Sequence, residues 1–72
     1  MNNLNVAKIQ LNGVPFEISD GTNLNELLNK LKIQKKKVAI EVNGEIIEKN
    51  KYPNLILNKE DKVEIVQFIG GG

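Results

Sequence analysis

The residue types that usually carry chemistry are nearly missing from this chain. It has no cysteine, histidine or arginine, and only one serine (Ser19) and one threonine (Thr22). A Ser-His or Cys-His nucleophile pair cannot be assembled, and the guanidinium fork that grips phosphate is absent. Without cysteine there is no disulfide framework and no thiolate metal ligand. No two carboxylates stand at a spacing that argues for metal binding or acid–base work, so no side chain is assigned a catalytic or metal-ligating role. What remains is the end of the main chain itself, where Gln67-Phe68-Ile69 runs into Gly70-Gly71-Gly72. Glycine lacks Cβ, so an extended glycine segment threads channels too narrow for any other residue. Ile69 to Gly72 spans at most roughly 14 Å when extended. That is enough to deliver the carboxylate of Gly72 into another protein's active site while the domain stays outside. The plainer alternative is a passive, frayed chain end.

The elements that must hold such a tail can be read from periodicity. Leu4 to Leu11 alternates as a strand, with a parity shift between Val6 and Ile9 that predicts a bulge or a frayed start. Asn12-Gly13 is a strong two-residue hairpin signal, because both positions tolerate positive φ. Val14, Phe16 and Ile18 form the return strand, and Pro15 places it at a sheet edge. Leu24, Leu27, Leu28 and Leu31 fall at i, i+3, i+4 and i+7, one apolar helical stripe. Thr22 or Asn23 is the N-cap, and Asn23 would pair with Glu26 in a capping box. Gln34 to Lys37 reads as a basic connection. Val38 to Val42, Asn43-Gly44 and Glu45 to Ile47 make a second hairpin. Lys49 to Asn54 reads as a loop, Leu55 to Leu57 as a short strand or turn, and Asn58 to Lys62 as a charged turn.

Val63 to Ile69 is the most apolar strand, which predicts a central position in the sheet. With Val63 and Ile65 turned toward the helix, Val66 and Phe68 face solvent. Together with Ile69 they make a candidate partner-docking patch. The alternative is a twisted strand that keeps Phe68 in the core. The order ββ–α–ββ–β implies an α+β fold, a mixed four- to five-stranded sheet with one helix packed across one face. Residues 1–69 form the domain and residues 70–72 a flexible tail.

The net charge of +1 in 72 residues argues against a strong nucleic-acid binder, whose footprint is a concentrated basic face. Lys35-Lys36-Lys37 reads as a solvated connection. No apolar run has the length of a membrane span and no signal-peptide pattern opens the chain. A small chain without disulfides is expected in the cytoplasm.

The element order is that of the ubiquitin-like β-grasp, and particular stretches are more specific. "VAIEVNGEII" (Val38 to Ile47) and "DKVEIVQFIGGG" (Asp61 to Gly72) resemble the ThiS sulfur carriers of thiamine biosynthesis, within the wider ThiS/MoaD-type group. "QLNGVPFEI" and "GTNLNELLNKL" match that family's opening hairpin and helix, so the likeness runs from about Ala7 onward. Glu60-Asp61 departs from the family's usual Gly-Asp before the last strand and touches no functional position. The resemblance implies a protein co-substrate rather than an enzyme, with no cofactor bound. An E1-like adenylyltransferase (ThiF-type) would use ATP to adenylate Gly72. Sulfur from a cysteine desulfurase or another donor would then make a thiocarboxylate, and thiazole synthase (ThiG-type) would consume it. Because Gly72 already ends the chain, activation without prior proteolysis is expected. The rival readings are a molybdopterin synthase small subunit or tRNA-thiolation carrier, a ubiquitin-like protein modifier, and an interaction module with a passive tail.

Overall fold

The computed structural model describes residues 5–68. The strands are β1 (Val6–Leu11), β2 (Val14–Ser19), β3 (Val38–Val42), β4 (Glu45–Ile46) and β5 (Lys62–Gln67). The helix α1 (Leu24–Leu31) lies between β2 and β3, and short 3₁₀ turns occupy Lys35–Lys37 and Lys49–Asn54. The five strands form one mixed sheet in the order β2-β1-β5-β3-β4. Only β1 and β5 run parallel; the other neighbours are antiparallel. The latest strand in sequence is therefore the middle one in space, as its apolar content predicts, and Pro15 does sit on an edge strand.

Local chemistry accounts for each element. Asn12 (φ 51°) with Gly13 (φ 83°), and Asn43 (φ 54°) with Gly44 (φ 87°), adopt the left-handed conformations that two-residue hairpins require. Asn23 is the N-cap of α1: its side chain accepts from the Glu26 N–H at 2.8 Å, and the Glu26 carboxylate accepts from the Asn23 N–H at 3.0 Å. That pairing settles the cap in favour of Asn23. Thr22 instead donates its hydroxyl to the Ser19 carbonyl and is buried. The helix ends at Lys32, a left-handed C-cap whose N–H reaches Asn29 and Leu28 carbonyls.

Leu24, Leu27 and Leu28 bury against Ala7, Ile9, Ile18, Val38, Ile40, Val42, Val63 and Ile65 from the sheet. Two sequence expectations change here. The ladder between β1 and β2 is continuous from Val6↔Ser19 to Leu11↔Val14, so there is no bulge among these residues. Ala7 and Ile9 are the inward pair, and Val6 simply faces out. Lys49 to Asn54 is a 3₁₀ turn rather than a loop, and it carries Tyr52, the largest fully buried side chain. Leu55 to Leu57 crosses below the start of α1, where Ile56 bridges to Asn23 and the Leu57 N–H bonds the Thr22 carbonyl at 2.9 Å.

Candidate functional site

The strand that leads to the glycines is held on both sides. On one side β3 pairs with it from Val42↔Val63 to Val38↔Gln67, and the Phe68 N–H extends the ladder to the Lys37 carbonyl at 2.8 Å. On the other side β1 ends at Leu11, before β5 does. The side chain of Asn12 then continues the pairing in place of a strand. Its Oδ1 accepts from the Ile65 N–H at 2.7 Å and its Nδ2 donates to the Ile65 carbonyl at 3.3 Å. Asn43 does the equivalent at the start of β5. The Lys62 N–H donates to Asn43 Oδ1 at 2.9 Å, and Asn43 Nδ2 donates to Asp61 Oδ1 at 3.0 Å. Both Asn-Gly turns are thus staples on the tail-bearing strand as well as hairpin turns. Sequence reading assigns them the second role alone.

Alternation along β5 sends Val63 and Ile65 into the core and leaves Val66 59% exposed. Phe68, the next position in that alternation, lies just past the strand and is 58% exposed, so it is not a core residue. Lys49 Nζ stands 5.6 Å from the centroid of its ring. Ile46 joins the same exposed face of the sheet, because its β3 partner Glu41 is also the partner of Glu64; it is 70% exposed. Sequence reading does not single out Ile46 or Lys49. The doublet Ile46-Ile47 is the available signal, since in a strand two adjacent isoleucines cannot both face the core. Ile69, Gly70, Gly71 and Gly72 lie outside the described residues.

Nothing in the described part of the molecule resembles a reaction centre. Among the described residues no group of three or more His, Cys, Asp or Glu is gathered to hold a metal. Among the described residues, the titratable group whose pKa clearly departs from its ordinary value is Tyr52, pushed above 10 by burial. The Ile40 backbone offsets that only in part, and the hydroxyl meets no partner in hydrogen-bonding geometry. No helix among the described residues is long and apolar enough to cross a membrane.

A sheet of this order with one helix across its face, its central strand presenting exposed apolar side chains, places the chain in the class of small β-grasp proteins. Similarity to known proteins makes the family specific. The ThiS family model matches residues 9–72. The sulfur carrier protein ThiS of Bacillus subtilis is 41% identical over 66 residues, covering 89% of this chain and 98% of that one. A crystal structure of the thiamine biosynthesis protein ThiS from Geobacter metallireducens superposes with a TM-score of 0.78 at 34% identity, covering 90% of this chain and 99% of that one. A thiazole synthase from Magnetococcus marinus is 42% identical over 65 residues, 90% of this chain but only 20% of the enzyme. The chain belongs to the ThiS family, the sulfur carriers of thiamine biosynthesis.

Proposed function

We propose that the reacting group of this carrier is the carboxylate of Gly72, and that thiazole synthase is the acceptor of its sulfur. A carboxylate is a poor electrophile at neutral pH, so an adenylating enzyme must first convert it. The carboxylate oxygen attacks the α-phosphorus of ATP, and pyrophosphate leaves. A sulfide-level nucleophile from a sulfur donor then adds to the acyl carbon and expels AMP, leaving a thiocarboxylate. Every step occurs on the main chain, which agrees with a sequence that holds no cysteine, histidine or arginine. ATP belongs to the partner in this scheme and is not a resident cofactor.

The observation that carries the reading is the root of the tail. Val66 and Phe68 are exposed on or just beyond a strand pinned on both sides, so a partner can grip a rigid base while the glycines enter its channel. Exposed aromatic and branched side chains in this setting favour docking. The thiazole synthase that is similar to this chain over one fifth of its own length supports that enzyme as acceptor over a molybdopterin-type partner.

The test is intact-mass analysis after incubation with an adenylating enzyme, ATP and a sulfur donor. Replacement of one oxygen by one sulfur, localised to the C-terminal peptide, is the expected outcome. A ladder of lysine-linked conjugates without any thiocarboxylate would instead make the chain a protein modifier.

A further inference from the structure

The described surface around the end of β5 is rich in lysine. Between Glu26 and Glu41 every charged residue is a lysine: Lys30, Lys32, Lys35, Lys36 and Lys37. The fold gathers most of these, together with Lys49, beside Phe68. Lys32, Lys35, Lys36 and Lys49 line one shallow depression next to the end of α1, and Lys32 and Lys37 line an adjoining one with Gln67 and Phe68. Neither depression is lined by an Asp or a Glu. Lys49 is held in place, its Nζ donating to the Val38 carbonyl at 2.7 Å while lying 5.6 Å from the Phe68 ring centroid.

Folding accounts for only part of this arrangement. The helix macrodipole accounts for a cation in the last turn, hence for Lys30 and Lys32. Lys35 lies 5.9 Å from the Tyr52 ring centroid and Lys49 bonds the Val38 carbonyl, but neither the macrodipole nor such a contact accounts for Lys36 and Lys37. Lys32 adopts φ 60°, a left-handed position where glycine carries no steric cost, yet a charged side chain stands there. Like charges crowded without carboxylates repel one another, so Lys36 and Lys37 add repulsion to the cluster without a compensating contact. Features that oppose stability and surround a docking surface point to a partner.

We infer that these lysines form a basic collar around Phe68 that docks against a carboxylate-lined rim on the enzyme that activates the tail. The inference rests on the function proposed above and assigns the surface that the activating enzyme grips. An extended tail argues against a direct part in the phosphate chemistry. Threaded in extended form through a narrow channel, the carboxylate would stand roughly 14 Å beyond residue 68, past the reach of a lysine side chain rooted in the collar. The lysines therefore meet the mouth of the partner's channel, and carboxylates are the groups that complement them there. A nucleic-acid partner fits less well. The exposed face beyond the collar offers no further aromatic platform, and it carries Glu41 opposite Glu64.

Binding of the full-length protein to its activating enzyme, measured across salt concentration, tests the collar. Lys36→Gln with Lys37→Gln removes two collar charges. Lys8→Gln with Lys59→Gln removes two charges elsewhere and is the matched control. The collar pair should bind about tenfold more weakly at low salt, mainly through slower association, and the difference should close at high salt. Its thermal midpoint should be unchanged or slightly higher, since these exposed lysines repel one another. Equal binding by both pairs, or equal loss in both, overturns the inference. So does retention of the parent protein on an RNA oligonucleotide with enzyme binding indifferent to Lys36 and Lys37. Intact-mass analysis of the parent protein separates the two proposals. Salt-sensitive, collar-dependent binding without sulfur gain defeats the proposed function and leaves the docking surface standing. Sulfur gain with collar-independent binding defeats the collar alone.

Discussion

Asn12 shows how much one side chain can carry in a chain this small. Its backbone takes the positive φ of the hairpin, and its amide supplies both a donor and an acceptor to Ile65, 53 residues away. Replacing it with alanine strains the turn and leaves a half-buried N–H and carbonyl unpaired. We expect Asn12→Ala to cost about 1–3 kcal/mol in urea unfolding. Asn12→Gly relieves the turn but not Ile65, and should fall between the alanine variant and the parent. Tyr52 gives a second test, because it is the only tyrosine and there is no tryptophan. Burial raises its pKa above the ordinary 10, so the folded state favours the neutral phenol. The associated stability is fully present below pH 10 and is lost as pH climbs from 10 through the raised folded value. Phenolate absorbance in an alkaline titration should therefore rise late, together with loss of the circular dichroism signal. A midpoint at the ordinary value with the fold intact would show an accessible hydroxyl. Since that hydroxyl has no geometric partner, Tyr52→Phe should change stability by less than about 1 kcal/mol.

At the level of elements, α1 has eight residues and would be marginal alone. Its leucines and its cap hold it against the sheet, and Asn23 also donates to the Pro53 carbonyl at 3.1 Å. Asn23→Ala should cost about 1 kcal/mol by thermal or urea unfolding. Features set by neighbours along the chain are legible in the residues alone: the four-leucine stripe, the Asn23–Glu26 box, both Asn-Gly hairpins, and a last strand apolar enough to be central. Features set by distant parts of the chain are not. Ala7 is too small to announce an inward face, so the more conspicuous Val6 misleads about parity. Tyr52 beside Pro53 looks like a surface bend, and only the packing of its 3₁₀ turn against α1 explains its burial. The candidate site divides in the same way. Period-two alternation is enough to put Val66 outside once Val63 is inside. The company of Ile46 and Lys49 around that surface depends on strand order, which no local pattern encodes.

The whole molecule separates the part that folds from the part proposed to react. Among the described residues, 5–68, the core runs from Ala7 through Leu57 to Ile65, and the Asn12 staple holds Ile65 in place. The glycines add no side chain that could bury apolar area. Stability and sulfur transfer should therefore respond to different substitutions. Removing Gly71 and Gly72 should leave the thermal midpoint unchanged within measurement error while abolishing thiocarboxylate formation. Gly71→Val is the finer probe, because it keeps length and carboxylate but adds a β-branched side chain to a segment that must pass a narrow channel. It should bind the activating enzyme through the intact Phe68 surface and still fail to gain sulfur. Phe68→Ala should give the complementary result, weaker binding with chemistry restored at high enzyme concentration. A Gly71→Val protein that acquires sulfur at the parent rate would show that the channel does not select for glycine. The terminal segment would then act only as a tether, and specificity would rest wholly on the folded domain.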